Sequence, residues 1–73
     1  MLEKLTTILQ TYVEGDTLIF EDTALVADLG LDSLEIFSVI ARIEDEFDVE
    51  VSERAIRKMV VVQDIMDYLD ENC

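Results

Sequence analysis

The residue best suited to chemistry in this chain is Ser33, in residues 29–35 (LGLDSLE), where a glycine-bearing loop turns into a helix of apolar periodicity. Its side-chain hydroxyl is a group on which a covalent modification can be attached. A negatively charged group on that oxygen would lie over the free N–H groups and the positive dipole end of the new helix. A serine at a helix start is also commonly a cap. Position alone therefore leaves two interpretations of Ser33, a covalent attachment site and a helix cap.

Histidine is absent from the sequence. This excludes a Ser-His-Asp triad, a Cys-His nucleophile pair and any zinc site with histidine ligands. Carboxylates remain for acid–base chemistry, but so small a domain does not suggest a deep pocket in which they could work. We therefore do not expect an enzyme.

An acidic group follows Ser33 along the chain and comprises Glu44, Asp45, Glu46, Asp48 and Glu50. Its simplest interpretation is a solvated face. A calcium site is excluded because the spacing lacks the glycine and the terminal glutamate of a calcium-binding loop. We expect no metal site, although weak, diffuse binding of divalent cations and docking on a basic partner remain open.

Size and charge describe one small acidic domain over residues 1–73 that is 51% hydrophobic and carries a net charge of −13. That apolar content is enough to fold despite the charge. The negative field repels nucleic acid phosphates and anionic membranes, so partners should be basic. No stretch is long and apolar enough to span a bilayer, and residues 1–4 do not look like a signal peptide. The lone Cys73 indicates no oxidising compartment, which makes the cytoplasm the expected location.

Asp32, Ser33 and Leu34, with Leu29 and Gly30 before them, resemble the attachment site of acyl carrier proteins. Residues 47–51 (FDVEV) and 62–65 (VQDI) look like later signatures of that family, so the resemblance covers residues 23–69. It implies that Ser33 takes a 4′-phosphopantetheine arm from coenzyme A. The thiol of that arm would carry acyl groups as thioesters, because group-carrying chemistry belongs to the cofactor.

The resemblance also implies roles for the residues around Ser33. Asp32 would take part in recognition by the phosphopantetheinyl transferase, while Asp32 and Glu35 also offset the helix dipole. The second helix would dock on basic patches of synthases, reductases, dehydratases and acyltransferases. The predicted partner-binding residues are Glu35, Phe37, Ala41, Glu44, Asp45 and Asp48.

We predict an all-α fold, a small bundle of three longer helices and one short helix. The first helix should cover about residues 2–13 and stop at Glu14, Gly15 and Asp16. The second should begin at Asp32 or Ser33 and run to about Phe47. Its core stripe is Ile36, Val39, Ile40, Ile43 and Phe47.

Two more helices, of which the first is short, should follow an extended connector at residues 49–51. Ser52 is the expected N-cap of the third, which runs to about Lys58. The fourth covers about residues 62–71, with Asp64 facing water and a final turn that frays. Its core stripe is Val62, Ile65, Met66 and Leu69, with Tyr68 at the edge.

The long loop between the first two helices should pack on the core through apolar anchors, with a short helical turn near residues 22–25. The expected anchors are Leu18, Phe20, Leu25 and Leu29. Beside Ser33, the apolar residues Leu34, Phe37 and Ala41 either pack against this loop or a neighbouring helix, or form an exposed docking strip.

Three features depart from the usual family pattern. Ser38 stands where a glutamate is typical, so one recognition charge is missing. Arg54, Arg57 and Lys58 make the third helix more basic than is common. Val60 and Val61 replace a capping threonine, which predicts a mobile start of the last helix.

Taken together, the residues and the resemblance predict a discrete, monomeric acyl carrier protein of fatty acid biosynthesis. The first alternative is a carrier for a specialised polyketide or peptide pathway, which Ser38 and the basic third helix keep open. A further alternative is a non-carrier acidic module that mimics nucleic acid or binds a basic partner. Such a module would need the charge but not Ser33.

Overall fold

The computed structural model describes residues 2–13 and 17–72, and the elements within those ranges confirm the all-α prediction. They are α1 (Leu2–Gln10), α2 (Ser33–Phe47), α3 (Glu53–Arg57) and α4 (Val62–Asn72). None of these helices is both long and apolar enough to cross a membrane. The predicted stop at Glu14, Gly15 and Asp16 lies outside the described residues.

Helix α2 has the predicted bounds because both of its ends are fixed locally. It begins after Asp32, an N-cap with extended backbone, and ends at Asp48 in the left-handed conformation, with φ of 54°. The Asp48 N–H donates to the carbonyl of Glu44, which closes the last turn. Val39, Ile40 and Ile43 are buried, and Ile36 and Phe47 pack against them at the edge.

Helix α1 is shorter than predicted and ends at Gln10 rather than Val13. The N–H groups of Thr11 and Tyr12 donate to the carbonyls three residues back, those of Ile8 and Leu9, at 3.2 and 3.0 Å. These bonds belong to a tighter turn than that of an α-helix, so the α-helix ends here. The Thr11 hydroxyl also donates to the Ile8 carbonyl at 2.7 Å. Such competition for backbone groups is why threonine favours helix ends.

Helices α1 and α2 run antiparallel. Lys4, near the start of α1, lies 4.0 Å from a carboxylate oxygen of Glu46 near the end of α2. Its ammonium also lies 5.7 Å from the centre of the Phe47 ring. The start of α2, with Ser33, is therefore at the opposite end of the bundle.

The short helix α3 and the last helix α4 agree with the prediction in position. Ser52 caps α3, because its hydroxyl accepts the Ala55 N–H at 3.1 Å. Helix α4 continues one residue beyond the predicted Glu71, to Asn72. Residues 49–51 form no strand, and the Tyr68 hydroxyl donates to the Glu50 carbonyl at 2.7 Å, which fastens this connector to α4.

The long loop packs on the core, but partly through other residues than predicted. Leu25 is buried and Leu29 half-buried, as expected, whereas Leu18 is 73% exposed and Phe20 56% exposed. The anchor between them is Ile19, which the sequence analysis missed. The side chains on either side of Ile19 point away from the core, as successive side chains do in extended backbone.

The helical turn predicted near residues 22–25 is wrong. Ala24 instead pairs with Val61 in an isolated antiparallel bridge, followed by turns over residues 25–29. The Thr23 side chain is buried, and its hydroxyl accepts the Phe20 N–H at 2.7 Å. The loop thus finds its bonds with its own side chains and with the segment before α4.

At the start of α4, the prediction for Asp64 is wrong and the basis of the predicted mobility changes. Asp64 does not simply face water, because its carboxylate accepts the N–H groups of Val60 and Val61 at 2.8 and 3.0 Å. These two N–H groups, that of Val61 first, lower the pKa of Asp64 below its ordinary value. A side-chain acceptor is therefore present, three residues after the missing threonine, and the reason for expecting a mobile start disappears.

The remaining N–H groups at the start of α4 are bonded by the long loop. Val62 donates to the Thr23 carbonyl at 3.0 Å and Gln63 to the Glu21 carbonyl at 2.7 Å. In return, the N–H of Leu25 donates to the Val60 carbonyl at 2.9 Å. Loop and helix start form one unit, which also builds a wall of the site described next.

One core joins all four helices and the loop. Its largest buried side chains come from every long helix and from the loop: Leu5, Leu9, Leu25, Val39, Ile40, Ile43, Val62, Ile65 and Leu69. Met66 and Tyr68 pack on this core at its edge.

Candidate functional site

The start of α2 is held by a reciprocal pair of side chains. The Asp32 carboxylate accepts the Glu35 N–H at 2.8 Å, and the Glu35 carboxylate accepts the Asp32 N–H at 3.2 Å. This is a capping box, for which the spacing D-x-x-E was the readable signal. Both carboxylates were predicted to offset the dipole and to meet partners. The structure gives them a capping role as well.

Ser33 is the first residue of α2 and its side chain is exposed. The cap of α2 is Asp32, so the alternative interpretation of Ser33 as the N-cap is wrong. Within the described ranges, the Ser33 hydroxyl has no partner, and the N–H groups of Ser33 and Leu34 have no acceptor. A helix start with free donors beside a free hydroxyl favours a negatively charged group on that oxygen.

The loop delivers Ser33 to this place through a sharp reversal at Gly30. Gly30 has φ of 70°, a conformation that costs other residues energy but not glycine. Its N–H donates to the Val26 carbonyl at 3.0 Å, and the next side chain, Leu31, is buried. The Asp28 carboxylate accepts the Ala24 N–H at 2.8 Å and closes the start of the same turn. Ser33 is therefore placed by a firmly bonded segment.

A groove of about 390 Å³ opens beside Ser33. One wall is α2, the second is the long loop, and the third is α3 with the segment that leads to α4. The lining residues are Ala24, Val26, Ala27, Ser33, Ile36, Phe37, Ile56, Arg57, Met59 and Val60. Because most of them are apolar, the groove suits a flexible hydrocarbon or an uncharged chain attached to Ser33.

Exposed apolar side chains surround the free hydroxyl. Leu34 is 79% exposed, Phe37 is 43% exposed and Ala41 is exposed. Of the two interpretations of this strip, packing against the loop is wrong for Leu34 and holds only in part for Phe37, which lines the groove. An exposed apolar strip of this kind is suited to docking.

The predicted acidic partner-binding residues separate into two groups. Asp45 and Asp48 are exposed. Glu44 is half-buried, and its carboxylate accepts the Val51 N–H at 2.9 Å, so it also holds the connector after α2. In the described part of the chain, no cluster of acidic or cysteine side chains has the arrangement of a metal site.

The sequence analysis missed part of the groove. Val26 and Val60, each 62% exposed, belong to the loop and to the segment before α4, and no periodicity marks them. Arg57 was noted as a charge on α3 but not as a residue beside Ser33. The spacing of these residues along the chain does not indicate that they line the same groove as Ser33.

The residues present fit a 4′-phosphopantetheine arm. Its phosphodiester would form on the exposed Ser33 oxygen, facing the free N–H groups of Ser33 and Leu34. Its uncharged pantetheine part matches the apolar, open groove. Asp32 and Glu35 have oxygens engaged with backbone N–H groups, which lessens their repulsion of a phosphate.

Comparison with known proteins agrees with this geometry. The family described as "Phosphopantetheine attachment site" matches residues 3–69. The acyl carrier protein of Zymomonas mobilis is 37% identical over 60 residues, which cover 82% of this chain and 76% of that protein. That of Syntrophus aciditrophicus is 40% identical over 48 residues, covering 66% of this chain and 60% of that protein.

A solved structure gives the same result for the fold. A Mycobacterium tuberculosis protein described as an acyl carrier protein superposes with a TM-score of 0.88 at 33% identity, covering 94% of this chain and 93% of that one. These relatives are named as carriers, and the cofactor of the matched family is phosphopantetheine. The chain belongs to the acyl carrier protein family, as a non-catalytic carrier with a phosphopantetheine attachment domain.

Proposed function

We propose that residues 1–73 form a single acyl carrier domain whose arm is attached to Ser33 and carries intermediates of fatty acid synthesis. The observation that supports the attachment is the free hydroxyl of Ser33 at an open helix start, beside an apolar groove. The arm supplies the thiol that forms the thioester. Ser33 holds the arm, and the groove residues shelter what is bound to it from water.

The N–H groups at the start of α2 make the attachment favourable. A phosphodiester on Ser33 carries a negative charge, and the dipole of a helix of 15 residues attracts it. The capping box keeps these donors in place, because Asp32 and Glu35 fix the backbone on both sides of Ser33. Ser33 is thus presented on a rigid turn for the phosphopantetheinyl transferase.

We further propose that partner enzymes dock on the strip beside Ser33 and on the acidic residues of α2. Leu34, Phe37 and Ala41 would give apolar contacts, and Asp45 and Asp48 would attract basic patches. The charge of −13 would speed the encounter at low salt and lose this effect as salt screens it. Glu35 would contribute charge from the capping box, and Glu44 would contribute charge from its place beside the connector after α2.

Intact mass spectrometry tests the attachment. The purified chain is incubated with coenzyme A, magnesium and a promiscuous phosphopantetheinyl transferase, and we expect a gain of one arm. Ser33→Ala should gain none. Ser38→Ala is the matched control, since Ser38 is an exposed serine of the same helix, and it should still be loaded. Loading of Ser33→Ala, or failure of the folded natural chain to load, would contradict the proposal.

The pathway needs a separate experiment, because a specialised polyketide or peptide pathway is the second candidate. What favours it is the exposed Ser38 and the basic α3. The loaded carrier would be supplied to a reconstituted set of separate fatty acid synthesis enzymes with malonyl groups. Extension to long acyl chains supports fatty acid synthesis. Loading without extension would support the specialised pathway.

A further inference from the structure

The groove beside Ser33 contains a charge that an apolar cargo would not need. Among the described residues that line it, Arg57 is the charged one, and its neighbours include Ile56, Met59 and Val60. Arg57 stands on α3, across the groove from Ser33 on α2. A chain that leaves Ser33 and folds back along the groove therefore meets Arg57.

Arg57 has donors to spare. One of its terminal nitrogens donates to the Glu53 carboxylate at 2.6 Å, in a pair on the exposed surface of α3. A guanidinium carries five N–H donors, and its fork binds a carboxylate through two parallel bonds. Arg57 can thus keep Glu53 and accept a second anion from the groove side. With 75% of its side chain exposed, this requires little loss of hydration.

The arm's own phosphodiester has other donors. It would be bonded to the Ser33 oxygen, where the N–H groups of Ser33 and Leu34 and the dipole of α2 already face it. The anion left for Arg57 is one that lies farther along, beyond the uncharged pantetheine. That place belongs to the free end of the cargo.

We propose that Arg57 makes this carrier hold acyl groups that end in a carboxylate more tightly than the methyl-ended groups that it also carries. The apolar walls hold the methylene groups and the guanidinium holds the terminal carboxylate. A cargo of the same length that ends in a methyl group would fill the groove in the same way, but it would form no ion pair with Arg57, which would then bond only Glu53. This inference rests on the proposed attachment at Ser33 and adds the substrate class.

The experiment loads the carrier directly from acyl-coenzyme A thioesters with a promiscuous transferase. The probes are matched pairs, succinyl against butyryl and glutaryl against pentanoyl, in which a carboxylate replaces a methyl end. Thermal unfolding of each loaded form is measured at low salt. We expect the carboxylate form of each pair to melt about 2 °C or more above its methyl partner, a shift readily resolved for so small a domain.

Three variants locate the effect. Arg57→Gln should abolish the difference within each pair. Arg54→Gln removes a neighbouring cation of α3 that does not line the groove, and it should preserve the difference. Glu53→Gln removes the carboxylate that competes for Arg57, and it should enlarge the difference.

Equal melting temperatures for the paired cargoes in the natural chain would overturn the proposal. So would a difference that survives in Arg57→Gln. The holo form, which has the arm but no acyl group, is the remaining control. If Arg57 raises its melting temperature as much as that of the carboxylate forms, the anion that Arg57 binds is the phosphodiester and the proposed selectivity is wrong. Failure of loading shows instead in the intact mass, and it would contradict the attachment at Ser33.

Discussion

The starts of α2 and α4 satisfy their backbone donors in opposite ways. At α2 the side chains of the N-cap Asp32 and of Glu35 accept each other's N–H groups and leave those of Ser33 and Leu34 free. At α4 the loop carbonyls and Asp64 take the donors. One helix start is open for a ligand and the other is closed to stabilise the fold. The two starts differ because the acceptors at α4 come from a distant loop as well as from Asp64, whereas those at α2 come only from residues next to Ser33 and Leu34.

A matched pair of proline substitutions at the second residue of each helix should break this contrast with the largest effect. Gln63→Pro removes a backbone N–H that donates to the Glu21 carbonyl. Leu34→Pro removes a backbone N–H that has no acceptor, at a residue whose side chain is exposed. Both prolines restrict the preceding residue equally. We expect Gln63→Pro to lower the free energy of unfolding by about 1–2 kcal/mol more than Leu34→Pro, measured in urea.

Equal losses from the two prolines would contradict the assignment of one start as open. Gln63→Ala serves as the control. It keeps the backbone N–H and removes only the side-chain bond to Asp67, so it should cost much less.

Removal of the Asp64 carboxylate should have the next largest effect. Asp64→Ala deprives Val60 and Val61 of their acceptor and should cost about 1 kcal/mol near neutral pH. Because these bonds lower the pKa of Asp64 below 3.8, its stabilisation is present above that pH and is lost as the pH falls through the folded-state pKa. The stabilities of the variant and the natural chain should therefore differ by a constant amount at higher pH and converge as the pH falls below 3.8.

A gap between the two stabilities that stayed constant as the pH fell far below 3.8 would show that the ionised carboxylate is not what holds the segment before α4. Asp67→Ala, an exposed carboxylate of the same helix, is the control, and its effect should be small at every pH.

The corresponding change at α2 should have the smallest effect on stability. Asp32→Ala breaks the capping box and should cost about 0.5–1 kcal/mol, because Asp32 is exposed and water replaces part of the lost bond. If Asp32 also meets the transferase, the rate of loading should fall more than this loss explains. A loading rate equal to that of the natural chain would limit Asp32 to its structural role.

The parts of the fold that sequence could predict are those decided locally. The bounds of α2 and the cap at Ser52 follow from turn residues, caps and periodicity within a few positions. The capping box at Asp32 was also local, and its D-x-x-E spacing was overlooked. The position of Ser33 at the start of α2 was predictable for the same reason, since its loop, helix and neighbours are adjacent in sequence.

Several of the missed features concern residues whose partners are distant in the chain. Periodicity could not tell that Ile19 rather than Leu18 turns inward, because the core that selects it comes from other elements. The start of α4 was misread because its acceptors lie about 40 residues earlier, at Glu21 and Thr23. Arg57 meets the groove through tertiary folding alone. Such contacts leave no periodic signal.

The most direct test of the open helix start is the change in backbone amide NMR shifts when the arm is attached. The account predicts that the largest changes occur at the N–H groups of Ser33 and Leu34, while those of Val62 and Gln63 stay in place. Attachment that left Ser33 and Leu34 unchanged, or that shifted the start of α4 most, would contradict it.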